Sequence, residues 1–141
     1  MLSVDHNNLT HFKGSINTKM LSIKENSFQT LPRLSHPEKI IYLDASQNPL
    51  KTITPVLNYK KLRVLAASDG DITFIPPDID RLEDLSMINL ANNKLTHLPI
   101  NILNLPKLEY LDVSSNLFSS VQIRSIKKTI KTNHPKLDFE I

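Results

Sequence analysis

The sequence predicts an α/β solenoid, in which short repeats stack side by side around one core and build a curved parallel sheet of about seven short strands. Three observations predict this fold. An apolar residue that begins a strand motif recurs at positions 2, 21, 43, 65, 88 and 111, at intervals of 19 to 23 residues. A second apolar residue follows each of them two positions later, and asparagine follows five positions later in every copy but one. Because one such repeat cannot bury its apolar side alone, neighbouring copies must stack.

The asparagine column has a predictable physical role. A side-chain amide both donates and accepts hydrogen bonds, so it can satisfy backbone groups left unpaired where the chain turns inward after a strand. In the fourth copy Gly70 occupies this position within the run Ser68–Asp71, which predicts a looser or rerouted turn there. The clustered aspartates lack the twelve-residue spacing of a calcium loop, so a tight turn is the better interpretation. The predicted ladder consists of Asn7, Asn26, Asn48, Asn93 and Asn116.

The motif can be read directly from the sequence. The clearest copy is LSMINLANNKLTHL at 85–98, and return segments close with the apolar-proline pairs Leu31-Pro32, Ile75-Pro76 and Leu98-Pro99. Over essentially the whole chain this pattern resembles the leucine-rich-repeat family. The proline-containing copies, with repeats of 22–23 residues, resemble its intracellular Ras-group type, which is also common in bacterial proteins. The resemblance implies a concave parallel sheet, an irregular or 3-10 convex side, and recognition of other proteins through the concave face without catalysis.

Two parts are predicted along the chain: leucine-rich repeats over residues 1–118 and a C-terminal cap over residues 119–141. The first copy is incomplete, since it begins at Leu2 in the middle of the motif. In the cap, Ser120 is expected to be the N-cap of a helix that His134-Pro135 ends. The alternation after Pro135 predicts a closing strand with Leu137 in the first strand position. The helix is expected to bury Val121, Ile123, Ile126 and Ile130 and to expose Arg124, Lys127, Lys128 and Lys131.

Residues that flank the strand leucines are expected to point onto the concave face, because side chains alternate along a strand. The position before each leucine is occupied by methionine, tyrosine or valine, and the position after it is mostly polar. An apolar stripe beside small polar residues is typical of a protein-binding surface. The same residue types also suit packing against neighbours within a sheet, which is the alternative interpretation. The candidate partner-binding residues are Met20, Tyr42, Asp44, Val64, Met87, Asn89, Tyr110 and Asp112.

Composition and motif spacing argue against catalysis. Cysteine is absent, and two glycines are too few for a phosphate-binding loop. The five histidines form no metal pair at helical spacing, and no Gly-x-Ser-x-Gly elbow occurs. We therefore predict that the chain is not an enzyme, binds no metal and no cofactor, and takes no small-molecule substrate.

Charge and targeting signals narrow the partners and the location. The net charge is only +3, and no aromatic side chains accompany the basic cap helix, which argues against nucleic acid as a partner. No segment approaches the roughly 20 apolar residues of a membrane-spanning helix. The apolar face of the basic cap helix is needed by the core, which argues against a membrane partner. The absence of a visible secretion signal and of cysteine favours a cytoplasmic, intracellular location, with secretion by a signal-less route left open.

The function predicted from these observations is that of a protein-interaction module whose partner protein is unidentified. Three alternatives stay open. The chain could be the recognition domain of a secreted bacterial effector, or the recognition part of a larger enzyme whose catalytic domain lies elsewhere. It could also be a structural scaffold that associates with itself through the uncapped first repeat, since an uncovered strand edge invites pairing.

Overall fold

The computed structural model describes residues 1–12 and 15–141 and confirms the predicted parallel sheet. Its seven strands pair in sequence order, each parallel to the next. The strands are β1 (Leu2–Ser3), β2 (Met20–Ser22), β3 (Tyr42–Asp44), β4 (Val64–Ala66), β5 (Met87–Asn89), β6 (Tyr110–Asp112) and β7 (Asp138–Glu140). The return segments contain 3-10 turns at Pro37–Lys39, Thr54–Asn58, Pro77–Arg81 and Ile100–Asn104, and one helix, α1 (Ser120–Asn133), precedes β7.

One continuous core fills the space between the sheet and the 3-10 turns. The central residue of each inner strand is buried, as Leu43 and Leu65 show, and apolar residues of the turns such as Ile79 and Ile102 face them from the convex side. Burying an aliphatic side chain of this size stabilises a fold by about 1.5–3 kcal/mol. Because the copies share this core, each one depends on its neighbours for most of its burial.

The asparagine side chains close the turn after each strand. Asn48 is 2% exposed, and its Nδ2 donates to the carbonyl oxygens of Ile23, Ala45 and Ser46 at 2.9, 3.1 and 3.2 Å. Its Oδ1 accepts from the backbone N–H of Phe28 at 3.0 Å. One side chain thus connects two adjacent copies and satisfies four backbone groups. Asn26, Asn93 and Asn116 repeat this arrangement, whereas the exposed Asn7 donates only within its own turn.

The residue before each ladder position has a left-handed backbone, a feature that the sequence pattern did not reveal. The φ angles at these positions lie between 52 and 57° although none of the residues is glycine. This conformation costs a non-glycine residue roughly 1–2 kcal/mol. In the five copies with a ladder asparagine, this conformation places the asparagine side chain over the open carbonyl groups. The residues are His6, Glu25, Gln47, Asp69, Asn92 and Ser115.

Gly70 interrupts the ladder and reroutes one hydrogen bond. In four other copies the equivalent backbone N–H, at Leu9, Phe28, Ile72 and Leu95, donates to an asparagine Oδ1. The N–H of Leu50 instead donates to the carbonyl oxygen of Asn48 at 2.7 Å. Neighbouring polar atoms also lie close to Gly70. A Cβ at position 70 would lie 2.9 Å from Oδ1 of Asn93 and 3.0 Å from the carbonyl oxygen of Asn48. A side chain at this position would therefore force Asn93 or the backbone at Asn48 to shift.

Tyr59 is a buried anchor on the convex side that the repeat pattern did not single out. It is 1% exposed, and its hydroxyl donates to the carbonyl oxygen of Pro32 at 2.5 Å, which connects two adjacent return segments. Burial raises the pKa of the Tyr59 phenol well above its ordinary value. The folded state therefore holds this phenol in its protonated form.

Alkaline pH should consequently weaken the fold through Tyr59. Its contribution to stability is complete below the unfolded-state pKa of about 10 and is lost as the pH rises above that value. Between pH 8 and pH 11 the wild-type protein should lose about 1 kcal/mol more unfolding free energy than Tyr59→Phe, which has no phenol to ionise. Urea denaturation at both pH values measures this difference. Equal losses in the two proteins would show that Tyr59 ionises freely in the folded state.

The cap helix differs from the prediction at its first turn. The N-cap is Ser119 and not Ser120: Oγ of Ser119 accepts from the N–H of Gln122 at 3.3 Å, and Oε1 of Gln122 accepts from the N–H of Ser119 at 2.8 Å. This reciprocal pair needs a glutamine three residues after the serine, which only Ser119 has. Val121 is 65% exposed, so its predicted burial was wrong. At about 100° per residue it lies on the side of the helix opposite to Ile123, Ile126 and Ile130, which face the core. Ile130 is buried, Ile123 and Ile126 are half-buried, and the four predicted basic residues are exposed.

The closing strand is present, but its register differs from the prediction by two residues. Phe139, not Leu137, lies opposite Leu111 in β6. The turn after α1 takes up the extra residues, since the N–H of Leu137 donates to the carbonyl oxygen of His134 at 3.0 Å before pairing begins. A shift of two keeps every side chain on the same face of the sheet, so the apolar residues still point to the core.

Candidate binding surface

The concave face carries a continuous column of large side chains. Parallel pairing places Met20 beside Tyr42, Tyr42 beside Val64, Val64 beside Met87 and Met87 beside Tyr110. With adjacent strands about 4.8 Å apart, five strands give a column about 19 Å long. We call these five residues the ridge. All five were candidate partner-binding residues, and the structure brings them together on one face.

The ridge is accessible from solvent. Met20 and Met87 are 38% and 44% exposed, and Tyr42, Val64 and Tyr110 are half-buried. None of the five carries a charge at neutral pH. Tyrosine offers a large flat contact area with a polar tip, and methionine adapts its shape to a partner. The ridge therefore has the chemistry of an apolar contact surface.

Both tyrosines keep their hydroxyl hydrogens at neutral and mildly alkaline pH. Burial and the nearby carboxylate of Asp44 raise the pKa of Tyr42, and burial and Asp112 raise the pKa of Tyr110. The Tyr110 hydroxyl lies 3.4 Å from Oδ2 of Asp112 and is oriented to donate to it. The ridge consequently carries two protonated tyrosine hydroxyls along an otherwise apolar column, and that of Tyr110 is directed toward Asp112.

The three polar candidates, each two positions after a ridge residue on the same strand, also have a structural role. Oδ1 of Asp44, Asn89 and Asp112 each accepts a hydrogen bond from the backbone N–H two residues later, at 2.9–3.0 Å. Asp112 also accepts from the Ser114 hydroxyl at 2.7 Å and is only 8% exposed. These bonds hold the end of each strand. The structure thus places the three residues on the concave face, where Asp112 offers little surface to a partner.

Asp5 makes a similar bond between two copies, which the repeat pattern did not indicate. Its Oδ1 accepts from the Ser22 hydroxyl at 2.6 Å and from the backbone N–H of Lys24 at 2.9 Å. Burial opposes ionisation of this carboxyl, but the hydrogen bonds from Ser22, Ser3 and Lys24 outweigh it and lower the pKa of Asp5. The carboxylate therefore stays charged and fixes the first two strands relative to each other.

Negative charge accumulates at the β6–β7 end of the face. The corrected register of β7 puts Asp138 beside Tyr110 and Glu140 beside Asp112. Both side chains are exposed. The apolar ridge therefore ends in an acidic patch, formed by Asp138 and Glu140.

Within residues 1–12 and 15–141, no three histidine, aspartate or glutamate side chains lie close enough to hold a metal ion. The same described ranges contain no helix with the length and apolar character needed to cross a membrane.

Comparison with known proteins identifies the repeat. A family profile described as leucine rich repeat matches residues 60–118. A solved leucine-rich-repeat protein of Leptospira interrogans superimposes with a TM-score of 0.74 over 87% of this chain, at 29% identity. The chain belongs to the leucine-rich-repeat family. Its leucine-rich repeats cover 31% of the Leptospira chain.

Other leucine-rich-repeat proteins match at similar identity. Toll-like receptor 2 of Homo sapiens is 32% identical over 120 residues, which are 82% of this chain and 14% of the receptor. The solved complex of TLR13 with ssRNA13 superimposes with a TM-score of 0.67 over 86% of this chain and 18% of that chain, at 22% identity, which shows the fold alone. The chain thus spans less than a fifth of the length of these receptors. The leucine-rich-repeat fold is typically a non-catalytic binding scaffold.

Proposed function

We propose that this chain is a protein-interaction module that binds a partner protein through the concave face and performs no catalysis. The observation that carries the proposal is the ridge: five consecutive strands each contribute an uncharged, solvent-accessible side chain to one register column. Large exposed apolar columns are uncommon on surfaces that only face water. Aromatic residues and methionine are also enriched at protein interfaces.

The size of the sheet sets the shape of the expected interface. Seven strands at about 4.8 Å spacing span about 29 Å, and the strands are short, so the sheet alone offers roughly half or less of the ~800 Å² per partner in a standard interface. The partner should therefore also contact the turns at the rim. Asp69, Asn92 and Ser115 lie in these turns and are exposed.

A protein partner fits the charge of this face better than RNA does, although the similar TLR13 structure contains ssRNA13. Asp138 and Glu140 are exposed at one end of the ridge, and Asp44 lies on β3, the second of its five strands. RNA carries one negative charge per nucleotide, and its binding relies on lysine and arginine contacts to phosphate. The acidic residues would repel it.

The ridge can be tested by affinity capture followed by mass spectrometry. The bait is wild type, the ridge variant Tyr42→Arg/Met87→Arg/Tyr110→Arg, or a matched control, Phe74→Arg/Ile100→Arg/Leu117→Arg. The control residues are exposed apolar side chains outside the ridge, at 47%, 62% and 61% exposure. We expect a protein that wild type and control retain and that the ridge variant loses at least tenfold. Circular dichroism checks that all three baits fold.

The captured protein is then purified and its affinity for the three baits measured. A loss confined to the ridge variant supports the proposed function. Equal affinity for all three baits would assign the ridge to packing within the sheet and would overturn it.

A further inference from the structure

The edge of the sheet at which the strands begin carries a basic groove. The groove has a volume of about 720 Å³ and crosses the second, third and fourth copies. Four exposed basic side chains surround the half-buried Ile41. They are Lys19, Lys39, Lys61 and Arg63.

The backbone holds these residues in two rows. Lys19, Ile41 and Arg63 occupy equivalent positions in three successive copies: the N–H of Ile41 donates to the carbonyl oxygen of Lys19 at 2.8 Å, and the N–H of Arg63 donates to that of Ile41 at 2.9 Å. Lys39 and Lys61 are likewise equivalent and 22 residues apart. With copies about 4.8 Å apart, the first row spans about 10 Å, with a cation at each end and an apolar residue between them.

The cations of the groove have no close ion-pair partner in the described part of the chain. Among the residues that the structure describes, none of these four cations forms an ion pair within 4.0 Å, and Lys39 only donates to Oδ1 of Asn17 at 3.1 Å. The nearby carboxylate of Asp84 interacts with Lys61 and Arg63 only from beyond ion-pair distance, and its close partner is Lys107 at 2.5 Å. Four unpaired cations around one groove attract an anionic ligand, most strongly at low salt.

We propose that this groove binds an acidic, extended segment of a protein, with an apolar residue between carboxylates. Side chains on one face of an extended chain recur about every 6.6 Å. A segment with one carboxylate on each side of an apolar residue can therefore reach Lys19 and Arg63 while the apolar residue contacts Ile41. None of the described residues that line the groove is aromatic, so the lining offers no side chain on which a nucleic-acid base could stack. It is a second site, separate from the ridge, and does not depend on what the ridge binds.

The test uses a fluorescein-labelled peptide, GSEEIEEGS, and its neutral counterpart GSQQIQQGS, in fluorescence anisotropy at 50 mM salt. The groove variant is Lys39→Glu/Lys61→Glu/Arg63→Glu. The matched control, Lys127→Glu/Lys128→Glu/Lys131→Glu, makes the same change in net charge on α1. Lys39→Gln/Lys61→Gln/Arg63→Gln is a milder second variant that avoids new carboxylates, and circular dichroism checks folding.

We expect the acidic peptide to bind wild type and the α1 control within about twofold of each other, and the groove variants at least tenfold more weakly. Raising the salt to 300 mM should weaken binding several-fold, and the neutral peptide should bind at least tenfold more weakly. The ridge variant should retain acidic-peptide binding. Failure of the ridge test would therefore leave this inference standing, and failure of this test would leave the proposed function standing.

Three outcomes would overturn the inference. The first is the absence of binding that depends on the groove: wild type does not bind the acidic peptide at millimolar peptide concentration, or the groove variant and the α1 control lose peptide binding equally. The second is tighter binding of single-stranded dT10 or of phosphatidylserine vesicles than of the peptide, which would assign the groove to another class of partner. The third is concentration-dependent dimerisation in analytical ultracentrifugation that the groove variant abolishes, which would assign the groove to the acidic patch of a second copy.

Discussion

Ending the chain after Thr132 is expected to yield protein that is insoluble or that no longer unfolds cooperatively. The truncation removes β7, so β6 becomes an open strand edge and the completely buried Leu111 and Val113 lose their cover. Phe139 and Ile141, which pack against the core, are lost with it. An unprotected parallel edge over an apolar core favours aggregation. Solubility after expression and a urea denaturation curve measure the effect.

The control for the truncation is the full chain with Asp138→Asn and Glu140→Gln, which keeps β7 and its buried side chains but removes two exposed charges. It should be soluble and should unfold at close to the wild-type urea concentration. A truncated protein that is monomeric and unfolds in one cooperative transition would show that β7 is not needed to close the core.

Asn93→Ala is expected to lower the free energy of unfolding by about 1–3 kcal/mol, because it leaves buried backbone groups without partners. Asn93 is 5% exposed, and its Nδ2 donates to the carbonyl oxygens of Ala67, Leu90 and Ala91 at 2.9, 3.1 and 3.2 Å. Its Oδ1 accepts from the N–H of Ile72 at 3.0 Å. Urea denaturation followed by circular dichroism gives the difference.

Asn7→Ala is the matched control for the ladder, since it makes the same substitution in the same column at an exposed position. Asn7 donates only to the carbonyl oxygens of Val4 and Asp5 in its own turn, so we expect a cost below about 1 kcal/mol. Asn93→Asp keeps the acceptor but turns a carboxylate oxygen toward three carbonyl oxygens, and should cost at least as much as alanine at neutral pH. Equal stability of Asn93→Ala and Asn7→Ala would refute the ladder as a source of stability.

The two candidate surfaces give the molecule a polarised concave side. The ridge is uncharged, and the acidic patch of Asp138 and Glu140 lies at its β7 end. The basic groove, from Lys19 to Arg63, runs along the edge of the sheet at which the strands begin. A partner that contacts both surfaces would need an apolar patch with an acidic segment on one side. Electrostatic complementarity of this kind contributes more to orientation and association rate than to affinity.

The repeat features followed from the sequence because they depend on local pattern. The position of Leu43, Leu65 or Ile88 in its motif determines that the residue is buried, and parallel stacking then aligns Tyr42 with Val64 without further information. The cap was predicted less accurately because it lies outside the repeat. There the number of residues in the turn at His134 sets the register of β7, and the spacing from Ser119 to Gln122 sets the start of α1.

The sequence by itself determined the fold class, the seven strands, the asparagine column and the face to which each ridge residue points, because a repeat that must bury its apolar side leaves one stacking arrangement. Only the tertiary structure decided which polar side chains are already engaged, as Asp112 is with Ser114, and which cations have no ion pair within 4.0 Å among the described residues, as is the case for Lys61 and Arg63. Those outcomes depend on distances between residues about 22 positions apart or across a turn. Such distances are set when the copies stack, and no single copy contains them.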